Sequence, residues 1–118
     1  EKNWPRRKAM SDLDVGLPEG TGDTDYLAAL SDALDTVLAG PVPDIVFYNA
    51  GVDPHADDRL GLLSLSDEGL LARDRMVAER VMALGLPLCG VLGGGYSRDI
   101  DALARRHAGM FRALAEGL

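Results

Sequence analysis

The sequence is poor in the side chains that most often bind metals or act as nucleophiles. Its 118 residues include one cysteine, Cys89, and two histidines. A single cysteine excludes an internal disulfide and is typical of a reducing compartment, which favours a cytoplasmic protein. Because Cys89 lies in an apolar run with no histidine placed as a partner, we expect a small buried side chain and not a catalytic thiol.

Positive charge is also scarce. Lysine and arginine number 12 against 19 aspartates and glutamates, which gives a net charge of −7. This balance argues against a nucleic-acid partner and against binding to an anionic membrane surface. The one basic cluster, Arg6-Arg7-Lys8, is most simply a solvated segment. No apolar run is long enough to cross a bilayer, so we expect no membrane partner.

The apolar residues are numerous enough for a hydrophobic core, since they make up 47% of the chain. At this length the chain is one domain at most, and it is short enough to be part of one. It starts with Glu1 and not with methionine, among residues typical of a loop. We therefore expect a partial polypeptide.

The first half of the chain predicts a strand, a helix and a second strand. Residues 13–17 alternate between apolar and polar side chains, as in a half-buried strand. Apolar residues then recur at helical spacing between a cap at Asp23 or Thr24 and a stop at Gly40. Residues 44–49 have a continuous apolar centre, which predicts a strand buried on both faces.

The second half predicts a helix, a strand and a final helix. Ser66 is a typical N-cap, and the next strand covers about residues 86–92. The buried stripe of the first of these helices comprises Leu70, Val77, Val81 and Leu84. The final helix starts near Ser97 or Asp99. Its apolar face comprises Ile100, Leu103, Ala104, His107, Phe111 and Leu114. The order strand–helix–strand favours parallel neighbouring strands, so the predicted fold class is α/β, with a parallel sheet in a three-layer arrangement.

One reactive polar group follows each of the two main strands. Asp53 comes after the first and Tyr96 after the second, and ligands of parallel sheets bind beyond these carboxyl ends. Asp53 is either a metal ligand or an Asx-turn residue that bonds nearby backbone amides. The Tyr96 hydroxyl either stabilises an oxyanion on a substrate carbonyl or only packs. If the strands are neighbours, the two side chains lie at one sheet edge.

The glycines Gly93, Gly94 and Gly95 precede Tyr96. We expect them to let the backbone turn sharply beside the substrate. A phosphate-binding loop in front of a helix is the alternative, although the string matches neither common nucleotide-binding glycine motif.

The two histidines are weaker candidates. His55 lies two positions after Asp53 and would share its direction in an extended segment, but Pro54 and the turn argue against a common metal site. His107 is expected to be a core residue of the last helix. The loop is expected to be shaped by ion pairs among Asp57, Asp58 and Arg59.

Several motifs follow one another along the chain in a characteristic order. They read Asn-Trp-Pro-Arg-Arg-Lys, Ser-Asp-Leu-Asp-Val, Gly-Thr-Gly-Asp, Asp-Ile-Val-Phe-Tyr-Asn-Ala-Gly-Val-Asp, Asp-Arg-Leu-Gly and Gly-Gly-Gly-Tyr, and they span residues 3–96. Together they resemble the histone deacetylase superfamily, above all its class IV and bacterial deacetylase-like branch.

The resemblance implies that residues 1–118 are the C-terminal part of a single catalytic domain with the arginase/deacetylase-type fold. It implies a zinc-dependent amidohydrolase that acts on an N-acetyl amide of the acetyl-lysine or acetyl-polyamine type. In this family two aspartates and a histidine hold zinc, a histidine pair gives acid–base help, and a tyrosine bonds the carbonyl. Asp53 matches the second zinc aspartate, Tyr96 matches the tyrosine, and residues 93–95 match its glycine run. His55 falls where the family has no ligand.

The chain lacks the first zinc motif of the family. Residues 12–16 read Asp-Leu-Asp-Val-Gly and are similar to that motif, but the ligand histidine is absent, the following residues differ, and the order of motifs fits a later strand of class IV proteins, so we reject the match. The tandem histidines are absent as well. The resemblance therefore implies that the other two ligands and the general base lie outside this chain. Since a catalytic zinc site needs three protein ligands, we expect that the chain alone neither retains zinc nor catalyses the reaction.

Two further expectations concern partners. An uncovered edge of the parallel sheet favours pairing with the N-terminal part of the domain, or self-association. In an alternative from another class, the chain is a non-catalytic α/β module that binds an anionic small molecule at the glycine-rich strand end.

Overall fold

The computed structural model describes residues 7–117 and is of the α/β class. Its elements are α1 (Asp23–Leu38), β1 (Val46–Ala50), α2 (Asp67–Ala83), β2 (Leu88–Leu92) and α3 (Ile100–Glu116). The basic cluster at residues 6–8 and the first motif lie partly outside the described residues. None of the described helices is long and apolar enough to cross a membrane.

The two strands pair in parallel, as predicted. Val46 lies opposite Leu88 and Ala50 opposite Leu92, so both strands end at the same level. Helix α2 is the crossover between them, and it packs against α1 on one side and α3 on the other. The carboxyl ends of β1 and β2 therefore open side by side.

The prediction of a strand at residues 13–17 is wrong. The segment is irregular, and the side chains of Leu13 and Val15 are 38% and 49% exposed. A strand needs a neighbour for its backbone hydrogen bonds, and no other described segment pairs with this one. The alternation of side chains by itself does not supply that neighbour.

The starts of α1 and α2 are joined by one aspartate. Ser66 caps α2 as predicted, with its hydroxyl accepting from Gly69 N at 3.0 Å. Asp23 does not cap its own helix, which begins after Gly22 without a side-chain cap. Its carboxylate instead accepts from the backbone N and the hydroxyl of Ser66 at 2.8 Å and 2.6 Å. This contact fixes α1 against the start of α2.

One buried cluster lies at the strand-end loops and the start of α2. It comprises Val52, Leu65 and Leu70, against which Tyr26, Leu63 and Leu103 pack. The other buried apolar residues lie on β1, α2 and α3, namely Ala50, Val77, Ala78, Val81, Met110 and Ala113. The end of α2 is a tight turn, which Gly85 makes with φ of +67°.

The prediction that β1 is buried on both faces is also wrong for the described structure. Exposure alternates along the strand, and Phe47 is 69% exposed. Several other residues predicted to be buried are half-buried or exposed, namely Leu84, Cys89, Ile100 and Phe111. A groove of about 650 Å³ runs between α1 and β1, with Leu34, Val46 and Phe47 among its apolar walls. Much apolar surface of the sheet is therefore uncovered by the described residues.

Candidate functional site

The strand-end segments that carry Asp53 and Tyr96 are in direct contact. Beyond the last strand pair, Val52 N donates to Gly94 O at 2.6 Å, which extends the pairing into the loops. The carboxylate of Asp53 lies against the backbone of Gly94. The structure thus joins the Asp53 segment to the glycine run that leads to Tyr96.

The glycine run is needed for this close approach and not for an unusual backbone conformation. Among the described glycines, positive φ occurs at Gly20 and Gly85 and not at residues 93–95. A Cβ at Gly94 would lie 2.6 Å from Oδ2 of Asp53, nearer than real Cβ contacts allow. A Cβ at Gly95 would lie 2.6 Å from Cγ2 of Val52. Side chains here would push the two loops apart.

The carboxylate of Asp53 makes no hydrogen bond or ion pair with any of residues 7–117 and is half-buried. The Asx-turn alternative is therefore not observed, because the turn is closed by backbone groups, with His55 N donating to Val52 O at 3.2 Å. A half-buried carboxylate without a donor is suited to accept a cation or a donor group of a ligand.

His55 is not part of a site with Asp53. The ring is buried, with Nδ1 accepting from Asp57 N at 2.9 Å and Nε2 lying 3.2 Å from Oδ1 of Asp67. Both ring nitrogens thus have partners, Nδ1 in the loop and Nε2 at the start of α2. The shared metal site considered from the sequence is therefore excluded, in agreement with the family resemblance.

Asp58 is the residue that sequence reasoning undervalued. It does not shape the loop mainly by ion pairing, since its Oδ1 accepts from Leu60 N at 2.9 Å and Gly61 N at 2.8 Å. Its Oδ2 accepts from Tyr96 N at 2.7 Å. Asp58 thereby ties the loop after Asp53 to the residue that carries the phenol. The Asp-Arg-Leu-Gly motif was the available signal for this role.

Arg106 attaches the same loop to α3. Its side chain is 8% exposed, and its Nε donates to Oδ1 of Asp67 at 2.7 Å, which lowers the pKa of that carboxyl group. Its Nη1 lies 3.6 Å from Oδ2 of Asp57. The hydroxyl of Ser97 donates to the same Asp57 oxygen at 3.2 Å. The loop around His55 is thus held from α2, from α3 and from the residue after Tyr96.

Tyr96 presents an accessible phenol. Its side chain is 46% exposed, and its hydroxyl has no hydrogen-bond partner within the described part of the chain. His107 is half-buried on α3 and lies close to Gly95, but its buried Nδ1 has no hydrogen-bond partner among the described residues, so the expected satisfied core histidine is not observed. A hydroxyl held at its backbone and free at its oxygen can donate to a carbonyl group of a ligand.

The described residues hold no complete metal site. No group of three His, Cys, Asp or Glu side chains among residues 7–117 could hold an ion. The Asp53 carboxylate is a hard oxygen group of the kind that divalent ions accept, but tight binding needs further ligands.

Comparison with solved structures assigns the fold to the deacetylase class of α/β proteins. A crystal structure of an HDAC homolog complexed with SAHA superimposes with a TM-score of 0.70 at 31% identity, over 88% of this chain and 26% of that one. The parallel pair of strands with its glycine-rich strand end thus belongs to a known architecture.

Sequence comparison gives the family. Residues 3–114 match the model of the histone deacetylase domain. An uncharacterized protein of Picosynechococcus sp. is 47% identical over 113 residues, which cover 96% of this chain and 38% of that protein. Histone deacetylase 2 of Arabidopsis thaliana is 34% identical over 80% of this chain and 24% of its own length. The chain belongs to the histone deacetylase family and spans less than two fifths of the length of these relatives.

Substitution of Gly94 should disturb the contact between the loops. Gly94→Ala places a methyl group against the Asp53 carboxylate, and we expect a loss of about 1–3 kcal/mol in the free energy of unfolding from overpacking. Urea unfolding of the full-length protein measures it. The matched control is Gly16→Ala, where a Cβ meets nothing within 4 Å, and it should be close to neutral. Equal effects at the two sites would contradict the role of close approach.

Removal of the Asp58 carboxylate should produce a pH-dependent loss of stability. Partial burial raises the pKa of Asp58, but hydrogen bonds from Gly61, Tyr96 and Leu60 outweigh it and lower the pKa below its usual value. The ionised form therefore adds stability above the unfolded pKa of about 4, and this is lost as the pH falls through the lower folded pKa.

Thermal unfolding of Asp58→Asn should accordingly differ most from the unsubstituted protein near neutral pH. The difference should narrow as the pH falls below about 4 and through the lower folded pKa, since protonated Asp58 is uncharged like asparagine. Asp44→Asn, in an exposed loop without these bonds, is the control and should show no such trend. A difference that stays constant with pH would refute the role of the ionised carboxylate.

Proposed function

We propose that this chain supplies the C-terminal part of the active site of a zinc-dependent deacetylase, which hydrolyses an N-acetyl amide. The substrate is an acetylated amine of the lysine or polyamine type. In this proposal Asp53 is one metal ligand, and Tyr96 hydrogen-bonds the substrate carbonyl.

The contact between the Asp53 and Tyr96 segments carries the proposal. A donor-free carboxylate and an accessible phenol follow adjacent parallel strands, in a chain that matches the histone deacetylase domain over residues 3–114. Ligands of parallel α/β sheets bind at this position. The match to histone deacetylase 2 of Arabidopsis thaliana supports acetyl-lysine as one substrate type.

Each part of the chain has a separate task in the reaction. When bound, zinc would polarise the amide carbonyl and activate water. The Tyr96 hydroxyl donates a hydrogen bond to the carbonyl oxygen as negative charge develops there. Asp58 holds the backbone of Tyr96, and the glycine run lets the Asp53 carboxylate lie beside the same loop.

The rest of the domain is the partner that we propose for the uncovered sheet. One edge of β1 is paired with β2, and its other edge has no partner in the described residues. A parallel strand added there would end next to Asp53, so its loop could bring the further ligands. Further elements of the same domain, packed on the open face of the sheet, would cover the exposed side chain of Phe47 and the groove beside α1.

Electrostatic repulsion argues against the alternative that the glycine-rich strand end binds an anion. The glycine-rich strand end carries the carboxylates of Asp53 and Asp58, and the amide of Tyr96 is already bonded to Asp58. An anion placed there would meet two like charges and would lose an amide donor. No contact of the described residues favours it.

Two substitutions in the full-length protein test the proposal. Tyr96→Phe should lower kcat about a hundredfold or more with little change in KM, since the hydroxyl bonds the transition state. Asp53→Ala should abolish zinc binding and deacetylation of an acetyl-lysine peptide and of an acetylated polyamine. Residues 1–118 alone, supplied with zinc, should give no turnover.

A matched substitution controls for general damage. Asp44→Ala removes an exposed carboxylate from the loop before β1 and should leave kcat unchanged. Full activity of Tyr96→Phe, or turnover by residues 1–118 alone, would overturn the proposal.

The isolated chain should self-associate through its uncovered apolar face. Phe47 is 69% exposed and Val91 is 40% exposed on the same face of the neighbouring strands. Sedimentation of residues 1–118 should show species larger than a monomer, and Phe47→Ser should reduce them. Val42→Ser, at an 83% exposed loop position, is the control and should change little. A strictly monomeric chain at high concentration would contradict this prediction.

A further inference from the structure

We propose that Arg73 is the positioning residue for the turn that carries Asp53, acting from inside α2 through a buried ion pair with Asp74. The chemical consequence, correct placement of a metal-binding carboxylate, rests on the proposed function. The positioning itself is a property of the fold and can be measured without zinc or substrate.

The guanidinium of Arg73 uses its donors in two directions. Nε and Nη2 donate to Oδ1 of Asp74 at 3.0 Å and 2.8 Å. Nη1 donates to the carbonyl oxygen of Gly51 at 2.6 Å. Gly51 follows the last residue of β1 and stands two positions before Asp53. The planar group is therefore fixed by the carboxylate and directed at the strand end.

The same ion pair holds β1 at a second point. The Tyr48 hydroxyl donates to Oδ1 of Asp74 at 2.6 Å, and the Arg73 guanidinium lies 5.9 Å from the centre of the Tyr48 ring. Burial raises the pKa of the Tyr48 phenol, and the nearby charge of Arg73 opposes this only in part, so the hydroxyl stays protonated and donates. Two attachment points, at Tyr48 and Gly51, fix where the strand ends.

Stability alone is a poor reason for this arrangement. The side chains of Arg73 and Asp74 are 4% and 1% exposed, and Oδ2 of Asp74 has no hydrogen-bond partner among the described residues. Buried ion pairs repay their desolvation poorly, and apolar side chains of similar volume often stabilise a protein as well or better. The pair does, however, provide a charged donor for one backbone carbonyl, which an apolar pair cannot do.

This donor completes the support of the peptide groups before Asp53. Val52 N is bonded to Gly94 O on the β2 side, and Gly51 O is bonded to Arg73 on the α2 side. The carboxylate of Asp53 has no such bonds of its own. Its place beside Gly94 therefore depends on the backbone, and the backbone depends on these two contacts.

Hydrogen exchange at the Val52 amide in the full-length protein tests the inference. In Arg73→Lys the charge remains but the two-directional contact is lost, and exchange at Val52 should be roughly tenfold faster, as expected for loss of one charge-assisted hydrogen bond. The amide of Met110, in the buried part of α3, serves as the internal reference for global unfolding. The matched control is Arg75→Lys, whose ion pair with Glu116 is solvent-exposed. This control should leave the exchange rate of the Val52 amide unchanged.

A second variant separates positioning from stability. This variant combines Tyr48→Phe, Arg73→Met and Asp74→Leu, so that apolar groups replace the whole buried network. Its unfolding temperature should be close to that of the unsubstituted protein. If Arg73 positions the turn, Val52 still exchanges faster relative to Met110 in this stable variant. If exchange at Val52 matches that of the unsubstituted protein in both variants, the inference is wrong.

Zinc affinity links the positioning to chemistry. Chelator competition on the full-length protein should show affinity weakened by roughly ten- to a hundredfold in the combined variant, the range known for residues that orient metal ligands. Unchanged affinity would overturn the claim that Arg73 acts on Asp53. Absence of zinc binding in the unsubstituted protein would refute the proposed function. The ratio of the exchange rates at Val52 and Met110 would still decide whether Arg73 positions the turn.

Discussion

The candidate site depends on the contact between two backbone segments at the ends of β1 and β2. Val52 donates to Gly94 beyond the last strand pair, and the Asp53 carboxylate lies against Gly94 where a side chain would not fit. Parallel pairing places the strand ends at the same level, but it does not bring the loops beyond them into contact. Residues without a Cβ at 93–95 do this, so the glycine run is a packing requirement of the site.

Two buried arginines stabilise this contact from the helices. Arg73 in α2 bonds the carbonyl of Gly51, and Arg106 in α3 bonds Asp67 at the start of α2. Each is paired with an aspartate. The chain has a net charge of −7, so acidic side chains outnumber the basic side chains that can pair with them. Because the guanidinium is planar and offers several donors, each can bond more than one group at once. The helices therefore contribute fixed charges as well as apolar packing to the loops.

From α1 to α3 the order of elements and the neighbouring strand ends were predictable from the sequence, whereas the side-chain contacts that hold the strand-end loops were not. Ser66 caps α2 as predicted, and α3 begins at Asp99, one of the two predicted starts, because an N-cap is a local feature, set by residues within one turn. Asp23 follows the same local pattern, yet its carboxylate bonds Ser66, far along the chain. Asp58 and Arg73 likewise act at Tyr96 and Gly51. A spacing rule cannot predict such pairings, since they depend on which segments meet in three dimensions.

The errors about burial concern groups whose partners are not among the described residues. Residues 44–49 read as a strand buried on both faces, and Phe47 is nevertheless 69% exposed. An apolar residue at such a position is stabilised only if something covers it, and burial of a phenylalanine side chain contributes about 2 kcal/mol. The Asp53 carboxylate at the end of the same strand is likewise a group whose partners are not among the described residues. An added strand along the free edge of β1 would end beside the carboxylate, whereas the Phe47 side chain points out of a face of the sheet and needs a layer that covers that face. The edge and the face therefore both lack partners among residues 7–117.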